Sequence, residues 1–138
     1  MIQKRAPRSR KTVHFNARLP QDVSEELRRF AERRRISTSA AASQLLDEAL
    51  RMDRFPGVSF RWTAIGRQPF VTGTGMMVWE LYHVWLDHKR DTKSVLRGYS
   101  HLKAGQVTAA VAYANEFARE EPSNFWGQRP PGVPEIRL

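Results

Sequence analysis

Three polar side chains near the start of the chain, His14, Asn16 and Arg18, could hydrogen-bond to the edges of DNA bases. Asparagine can bond to adenine through two hydrogen bonds, and arginine can bond to guanine in the same way. The three alternate with apolar residues at a period of two, which predicts a strand over residues 13–20 with one polar and one buried face. We expect the polar face to contact bases.

A second set of residues could bind the DNA backbone. Residues 1–12 form a basic arm without acidic side chains, and its proline and charge density predict flexibility. The cations of this arm are Lys4, Arg5, Arg8, Arg10 and Lys11. The arm either contacts phosphates or is a solvated tail.

Composition narrows the classes of function. The chain has 138 residues with a formal net charge of +9, which favours a polyanionic partner such as nucleic acid or an acidic protein surface. The absence of cysteine excludes disulfide scaffolds, CxxC zinc sites and thiol catalysis. No apolar run approaches the ~18 residues of a membrane span, and no secretory signal is recognisable, so we expect a soluble cytoplasmic protein.

Nothing in the sequence indicates an enzyme. His83 and His88 are five residues apart, which does not place two metal ligands on one face of a helix. The glycine-containing segment 73–75 lacks the lysine and the spacing of a phosphate-binding loop. We expect no catalytic residues, no metal and no cofactor.

The elements that position the first polar group are two amphipathic helices. Apolar stripes run through residues 21–34 and through residues 42–49, and Ile36 between them is expected to fill the core. One strand and two helices leave the strand edges unpaired. Pairing with the same strand of a second chain would give a two-stranded ribbon over a four-helix core, and such a ribbon fits the major groove. The alternative is a dimerisation module whose outer strand face meets only water.

Residues 13 to about 52 resemble the ribbon–helix–helix family of the Arc and MetJ repressors. The resemblance is carried by the segment His14-Phe15-Asn16-Ala17-Arg18-Leu19-Pro20, by the two stripes, and by Ile36-Ser37-Thr38-Ser39 before the second helix. It implies a dimer whose strand residues read bases and whose Ser37, Thr38 and Ser39 contact the DNA backbone. Free N–H groups and the helix dipole favour an anion at that helix end. Arg34-Arg35 departs from the family, which often has a glycine there.

The second half, residues 57–120, reads as a hairpin followed by three helices, which is a winged-helix or homeodomain-like pattern. We expect strands at 58–65 and 69–72 with a turn at 66–68. The segments 66–74, 78–79, 99–102 and 109–114 resemble the small domain of unknown function numbered 433. That resemblance covers about 57–118 and implies a helix-turn-helix-like fold and antitoxins encoded beside PIN-like nucleases. Gly75 and Ser100 replace the arginine and proline usual in that family.

Residues 121–138 form a proline-rich tail with exposed aromatic side chains. Phe125 and Trp126 would suit a groove of a partner toxin, and Arg129 and Arg137 could reach its acidic magnesium site. The alternative is that Phe125 and Trp126 pack back onto the second domain and complete its core.

The sequence thus predicts a mostly α protein with short β elements. Its parts are a basic arm (1–12), a ribbon–helix–helix dimerisation and DNA-binding domain (13–54), a hairpin plus helix-turn-helix-like domain (57–120) and a tail (121–138). The function we expect is a VapB-type antitoxin of a type II toxin–antitoxin system. It would bind operator DNA as a homodimer or higher oligomer and neutralise a PIN-like ribonuclease. The alternatives are a stand-alone repressor whose second domain sets oligomerisation or ligand response, and an adaptor that binds no DNA.

Overall fold

The computed structural model describes residues 10–123, which are mostly helical with one small hairpin. The elements in chain order are α1 (Gln21–Arg34), α2 (Thr38–Arg54), β1 (Val58–Thr63), β2 (Gly66–Val71), α3 (Val78–Asp87), α4 (Thr92–Gly98) and α5 (Ala104–Phe117). A short 3-10 helix, Ala118–Glu120, follows α5. The five helices expected from the sequence, two in the first half and three in the second, are therefore confirmed. None of the helices in the described range is both long and apolar enough to cross a membrane.

The turn between α1 and α2 contains a left-handed residue that is not a glycine. Arg35 has φ +54°, a left-handed conformation that costs a residue with a side chain about 1–2 kcal/mol. It is held there by backbone bonds from Arg35 N–H to the Glu32 carbonyl (3.2 Å) and from Ile36 N–H to the Ala31 carbonyl (3.1 Å). Arg35, one of the two arginines that stand where the resembled family often has a glycine, is thus the residue that adopts the strained left-handed conformation.

The hairpin of β1 and β2 is antiparallel, with Val58 opposite Val71 and Thr63 opposite Gly66. Its loop is residues 64–65, so the turn predicted at 66–68 is wrong by two residues. Gly66 has φ +99°, which a glycine adopts at little cost, and Thr63 Oγ1 donates to the Gly66 carbonyl at 2.7 Å. The left-handed conformation at Gly66 therefore ends the turn, and β2 begins three residues before Pro69.

The hydrophobic core lies almost entirely in the second half. Tyr113 on α5 is fully buried at its centre and meets the rings of Phe55, Phe60, Trp79 and Phe117 at centroid distances of 4.6–6.1 Å. The Trp79 indole N–H donates to Gln68 Oε1 at 3.0 Å, which satisfies its polar atom. Phe55 directly follows α2, so the aromatic cluster joins the end of the first half to the second.

The first half has little buried apolar surface and lacks the expected strand. Residues 10–20 have no regular secondary structure in the single chain, so the strand expected at 13–20 is not formed there. Among the described residues before position 55, the buried hydrophobic ones are Ala31 and Ala41. Ile36, expected in the core, is 36% exposed. Two helices with so little buried apolar surface lack the packing that stabilises helices in proteins.

Candidate nucleic-acid interface

An open apolar groove of about 900 Å³ lies between residues 15–19 and the two N-terminal helices. Phe15, Ala17 and Leu19 line it from one side, while the helices contribute the apolar residues Val23, Leu27, Phe30, Ala42, Leu45 and Leu46. His14, Asn16 and Arg18 are all exposed, and of the three only Asn16 lines the groove. Three of the four apolar residues expected on one face of residues 13–20 thus line the same open groove as the apolar stripes of both helices.

Helix α2 buries its charged face and exposes its apolar one. Leu46 and Leu50 are 52% and 64% exposed, whereas Glu48 and Arg51 are only 7% and 8% exposed. A helix on the surface of a self-sufficient domain normally shows the opposite arrangement. The apolar face of α2 therefore lacks the covering that a folded protein gives such a face.

The buried charges of α2 bind the second half. Arg51 donates to Glu120 Oε1 (2.6 Å) and Oε2 (2.8 Å) and to the Tyr113 hydroxyl (2.9 Å), and it forms an ion pair with Asp47 at 3.1 Å. Its guanidinium lies 3.9 Å from the centroid of the Phe117 ring. A guanidinium has five N–H donors in a planar fork, so it can hold several partners at once.

Two further ion pairs support the same contact. Glu48 accepts from Arg67 Nε on β2 at 3.1 Å, and Arg54 pairs with Glu116 on α5. On α1, the Arg34 guanidinium lies 3.7 Å from the Phe30 ring centroid and 4.6 Å from that of Trp62 on β1. Both N-terminal helices are thereby joined to the second half by charged and aromatic contacts.

These contacts change the pKa values of the residues involved. Burial raises the pKa of Tyr113 to about 12, against the opposing effect of its bond from Arg51. For Arg51, burial disfavours the charged form, but the bonds to Glu120 and Tyr113 outweigh it and its pKa lies above the ordinary value. The pKa of Arg34 is lowered by desolvation and by the neighbouring charges of Arg67 and Arg33, which Glu48 partly offsets. Arg51 therefore stays charged throughout the accessible pH range.

The N-terminus of α2 has the geometry expected for an anion contact. The Ser37 hydroxyl accepts from Ala40 N–H at 3.0 Å, so this side chain serves as the helix cap. Ala41 N–H bonds to the Ser37 carbonyl at 2.9 Å, which leaves the N–H groups of Thr38 and Ser39 ahead of the helical ladder. Both residues are exposed and line the groove. Thr38 and Ser39, rather than Ser37, are thus the residues that present free donors.

The structure describes only some of the remaining candidate residues. Arg10 and Lys11 are exposed, and Arg10 lies 3.7 Å from Asp47. The other arm residues, Lys4, Arg5 and Arg8, lie outside the described residues. The tail residues Phe125, Trp126, Arg129 and Arg137 also lie outside them.

Sequence reasoning missed Arg51, Glu48 and Tyr113. Ala41, Glu48 and Arg51 follow helical spacing, but a charged face on a helix is usually a solvated one, so the pattern alone indicates exposure. The sequence of α2 also has an apolar stripe on the opposite face, and that stripe predicted burial of the apolar face rather than of the charged face.

Comparison with known protein families finds a match for part of the chain. Residues 63–114 match the family described as "Protein of unknown function (DUF433)". This confirms the resemblance of the second half, over the stretch from the end of β1 to Ala114. The match does not include residues 13–52, for which the ribbon–helix–helix resemblance stays a prediction. No curated protein and no solved structure matches the chain.

Proposed function

We propose that this protein binds double-stranded DNA as a homodimer of ribbon–helix–helix type and represses its own operon as the antitoxin of a PIN-like ribonuclease. The observation that carries the dimer is the exposed apolar face of α2 beside the groove lined by residues 15–19. A second copy of the chain is the occupant, because its own residues 13–20 carry the same alternation and can supply the missing strand.

The amount of uncovered apolar surface supports this assignment. Among the described residues, most of the exposed large hydrophobic side chains fall in the first half. They are Val13, Phe15, Leu19, Val23, Ile36, Leu46, Leu50 and Met52. Burying one such side chain contributes roughly 1.5–3 kcal/mol, so a dimer that covers most of them gains more than association costs. The second half has only Trp62 and Ile65 exposed to a similar degree.

Pairing two copies of residues 13–20 would put His14, Asn16 and Arg18 of both chains on the outer face of one ribbon. That face would read base edges, and the free N–H groups of Thr38 and Ser39 would hold phosphates on either side. The net charge of +9 suits such a partner. In this proposal the second half is a helix-turn-helix-like, winged-helix-like unit that carries the tail to a toxin.

The dimer is tested with a matched pair of substitutions. Leu46→Glu places a charge in the groove, and Ile65→Glu places one in the hairpin loop at a nearly equal exposure of 54% against 52%. Sedimentation should show a dimer for the natural chain and for Ile65→Glu, and a monomer for Leu46→Glu. A dimer for all three proteins would remove the groove from the proposal.

DNA reading is tested on duplexes that span the region upstream of the protein's own gene. Asn16→Ala and Arg18→Ala should each cost about 1–3 kcal/mol of binding free energy and relax the choice of sequence. Gln21→Ala, an exposed polar change just after the ribbon segment, is the control and should keep both affinity and specificity. Unchanged specificity in Asn16→Ala and Arg18→Ala would contradict base reading by this face.

The antitoxin role is tested by co-purification with the products of the neighbouring genes. The full chain, tagged at its N-terminus, should retain a small acidic protein that a chain ending at residue 123 does not. This end point keeps Glu120 and Glu121, which contact Arg51 and His83, so the second half remains intact. Equal retention by both chains would move the toxin contact off the tail, and no captured protein would favour the stand-alone repressor.

A further inference from the structure

Along the β1–β2 hairpin, burial falls from the end next to the core to the end that meets α1. Val58 and Val71, which pair at the first end, are almost fully buried, whereas Trp62 further along β1 is 54% exposed. Trp62 pairs with Arg67, so both side chains lie on the same face of the hairpin. The guanidinium of Arg34 lies 4.6 Å from the centroid of the Trp62 ring. The last turn of α1 therefore contacts the second half at this face.

Two aromatic rings and two guanidiniums form one cluster at this contact. The Arg34 guanidinium lies 3.7 Å from the centroid of the Phe30 ring, one turn earlier on the same helix, and the Arg67 guanidinium lies 6.0 Å from the same centroid. We call the cluster the arginine–tryptophan platform, which consists of Phe30, Arg34, Trp62 and Arg67. Phe30 also lines the groove between the two N-terminal helices, so the platform adjoins that groove.

The N–H donors of Arg34 have no acceptor in the part of the chain that the structure describes. Its Nε atom is buried without a hydrogen-bond partner, and no hydrogen bond or ion pair within residues 10–123 uses its Nη atoms. A guanidinium carries five such donors, which fit the two oxygens of a carboxylate. The contacts with the Phe30 and Trp62 rings restrain the guanidinium, so it loses less side-chain entropy when a ligand binds it.

The positive charge of the platform is only partly neutralised. Both oxygens of the mostly buried Glu48 carboxylate accept from Arg67 Nε, at 3.1 and 3.2 Å. Desolvation lowers the pKa of Arg34, and the charges of Arg67 and Arg33 lower it further, whereas Glu48 raises it. A carboxylate that approached Arg34 would offset the repulsion among these arginines. The platform therefore fits an acidic ligand.

We propose that the platform binds a carboxylate side chain of an acidic partner protein, with Arg34 donating to the carboxylate and Trp62 covering apolar surface beside it. The partner is the ribonuclease of the proposed function, so the inference rests on that function and gives the toxin a second contact besides the tail. Tryptophan and arginine are the residue types that most often dominate binding at protein–protein contacts. A phosphate backbone is held by cations and N–H groups and needs no exposed aromatic ring.

The test measures the affinity of the full chain for the acidic protein that the neighbouring gene encodes, purified separately and titrated in a calorimeter. Arg34→Gln removes the guanidinium and keeps a polar side chain, whereas Trp62→Ala removes the exposed ring. Each should weaken binding at least about tenfold, which is the loss typical of a residue at the centre of a contact. Because Trp62 is 54% exposed, Trp62→Ala carries the test alone if Arg34→Gln impairs folding.

Two control substitutions match these changes. Arg28→Gln removes an exposed arginine of the same helix, where its guanidinium pairs with Glu32. Ile65→Ala removes an apolar side chain of the same hairpin that is also 54% exposed. Both controls should bind the partner as the natural chain does, and thermal unfolding should show which variants are folded. An affinity that falls equally in the platform variants and in the controls would overturn the platform.

Other occupants of the platform give different results. Loss of the dimer in sedimentation of Arg34→Gln and Trp62→Ala would assign the platform to a second copy of the chain. A lowered salt slope of duplex binding would assign it to DNA phosphates, and either result overturns the proposal. If the natural chain and all four variants bind the neighbouring product equally well, the platform is rejected and the antitoxin role is kept. A natural chain that does not bind this product rejects both.

Discussion

Replacing Arg51 by methionine tests whether one buried guanidinium holds the two halves of the protein together. The change keeps an unbranched apolar stem but removes the bonds to Glu120 and Tyr113 and the contact with the Phe117 ring. Arg51 is 8% exposed, so water cannot replace these bonds without opening the contact between α2 and α5.

The expected loss of stability follows from what each partner can do afterwards. The Tyr113 hydroxyl is fully buried and loses its partner, which costs about 1–3 kcal/mol. Glu120 is 49% exposed on its side chain and can turn to water, so the larger penalty of a stranded buried charge does not apply. Loss of the contact with Phe117 adds about 0.5–2 kcal/mol. Together the two losses are about 1.5–5 kcal/mol.

Urea unfolding at one fixed protein concentration measures this loss, because the apparent stability of a dimer depends on concentration. Arg54→Met is the matched control on the same helix, since Arg54 is 56% exposed on its side chain and pairs with Glu116. The control should lose less than about 1 kcal/mol. In a Tyr113→Phe background, Arg51→Met should cost about 1–3 kcal/mol less, because no hydroxyl is stranded. Equal losses for Arg51→Met and Arg54→Met would refute the reasoning.

Three further predictions concern pH, backbone strain and the arm. Burial raises the pKa of Tyr113 from 10.0 to about 12, so the stability that its neutral hydroxyl contributes is complete below pH 10 and is lost as the pH rises to 12. The free energy of unfolding should fall by about 2–3 kcal/mol over this range, and Tyr113→Phe should remove the fall. A fall that persists in Tyr113→Phe would contradict this prediction. Arg35→Gly relieves the left-handed conformation and should raise stability by about 0.5–1 kcal/mol in urea unfolding, whereas Arg35→Ala should not; a gain in both would point to charge rather than strain. Deleting residues 1–11 should weaken binding to all duplexes and flatten its salt dependence; an unchanged slope would mean that the arm touches no phosphate.

The helices could be predicted from local information. The apolar stripes through residues 21–34 and 42–49 each depend on side chains within a few turns of one another. The hairpin was predicted, but its turn was displaced, because a loop position depends on which residue takes a positive φ. Gly66 has the positive φ and lies at the end of the loop. The presence of a glycine in the sequence does not show whether it stands at the start or at the end of the turn.

The candidate site was predicted only in part. The alternation of residues 13–20 indicates which side chains share a face, yet a strand needs a partner strand, and none of residues 10–123 pairs with this segment. The distinction between Ser37 as cap and Thr38 and Ser39 as free donors needed the hydrogen bonds themselves. A sequence lists residues that can cap a helix and does not decide between neighbours.

The sequence by itself determined the helices, the alternating polar face and the excess of positive charge, because these follow from residue types at fixed spacing. Only the tertiary structure decided that α2 turns Glu48 and Arg51 inward and Leu46 outward. Helical periodicity gives the direction of a side chain relative to its neighbours on the same helix and says nothing of which face meets another element. That choice depends on partners distant in the chain, here Arg67, Tyr113 and Glu120, whose bonds offset the cost of burying charge.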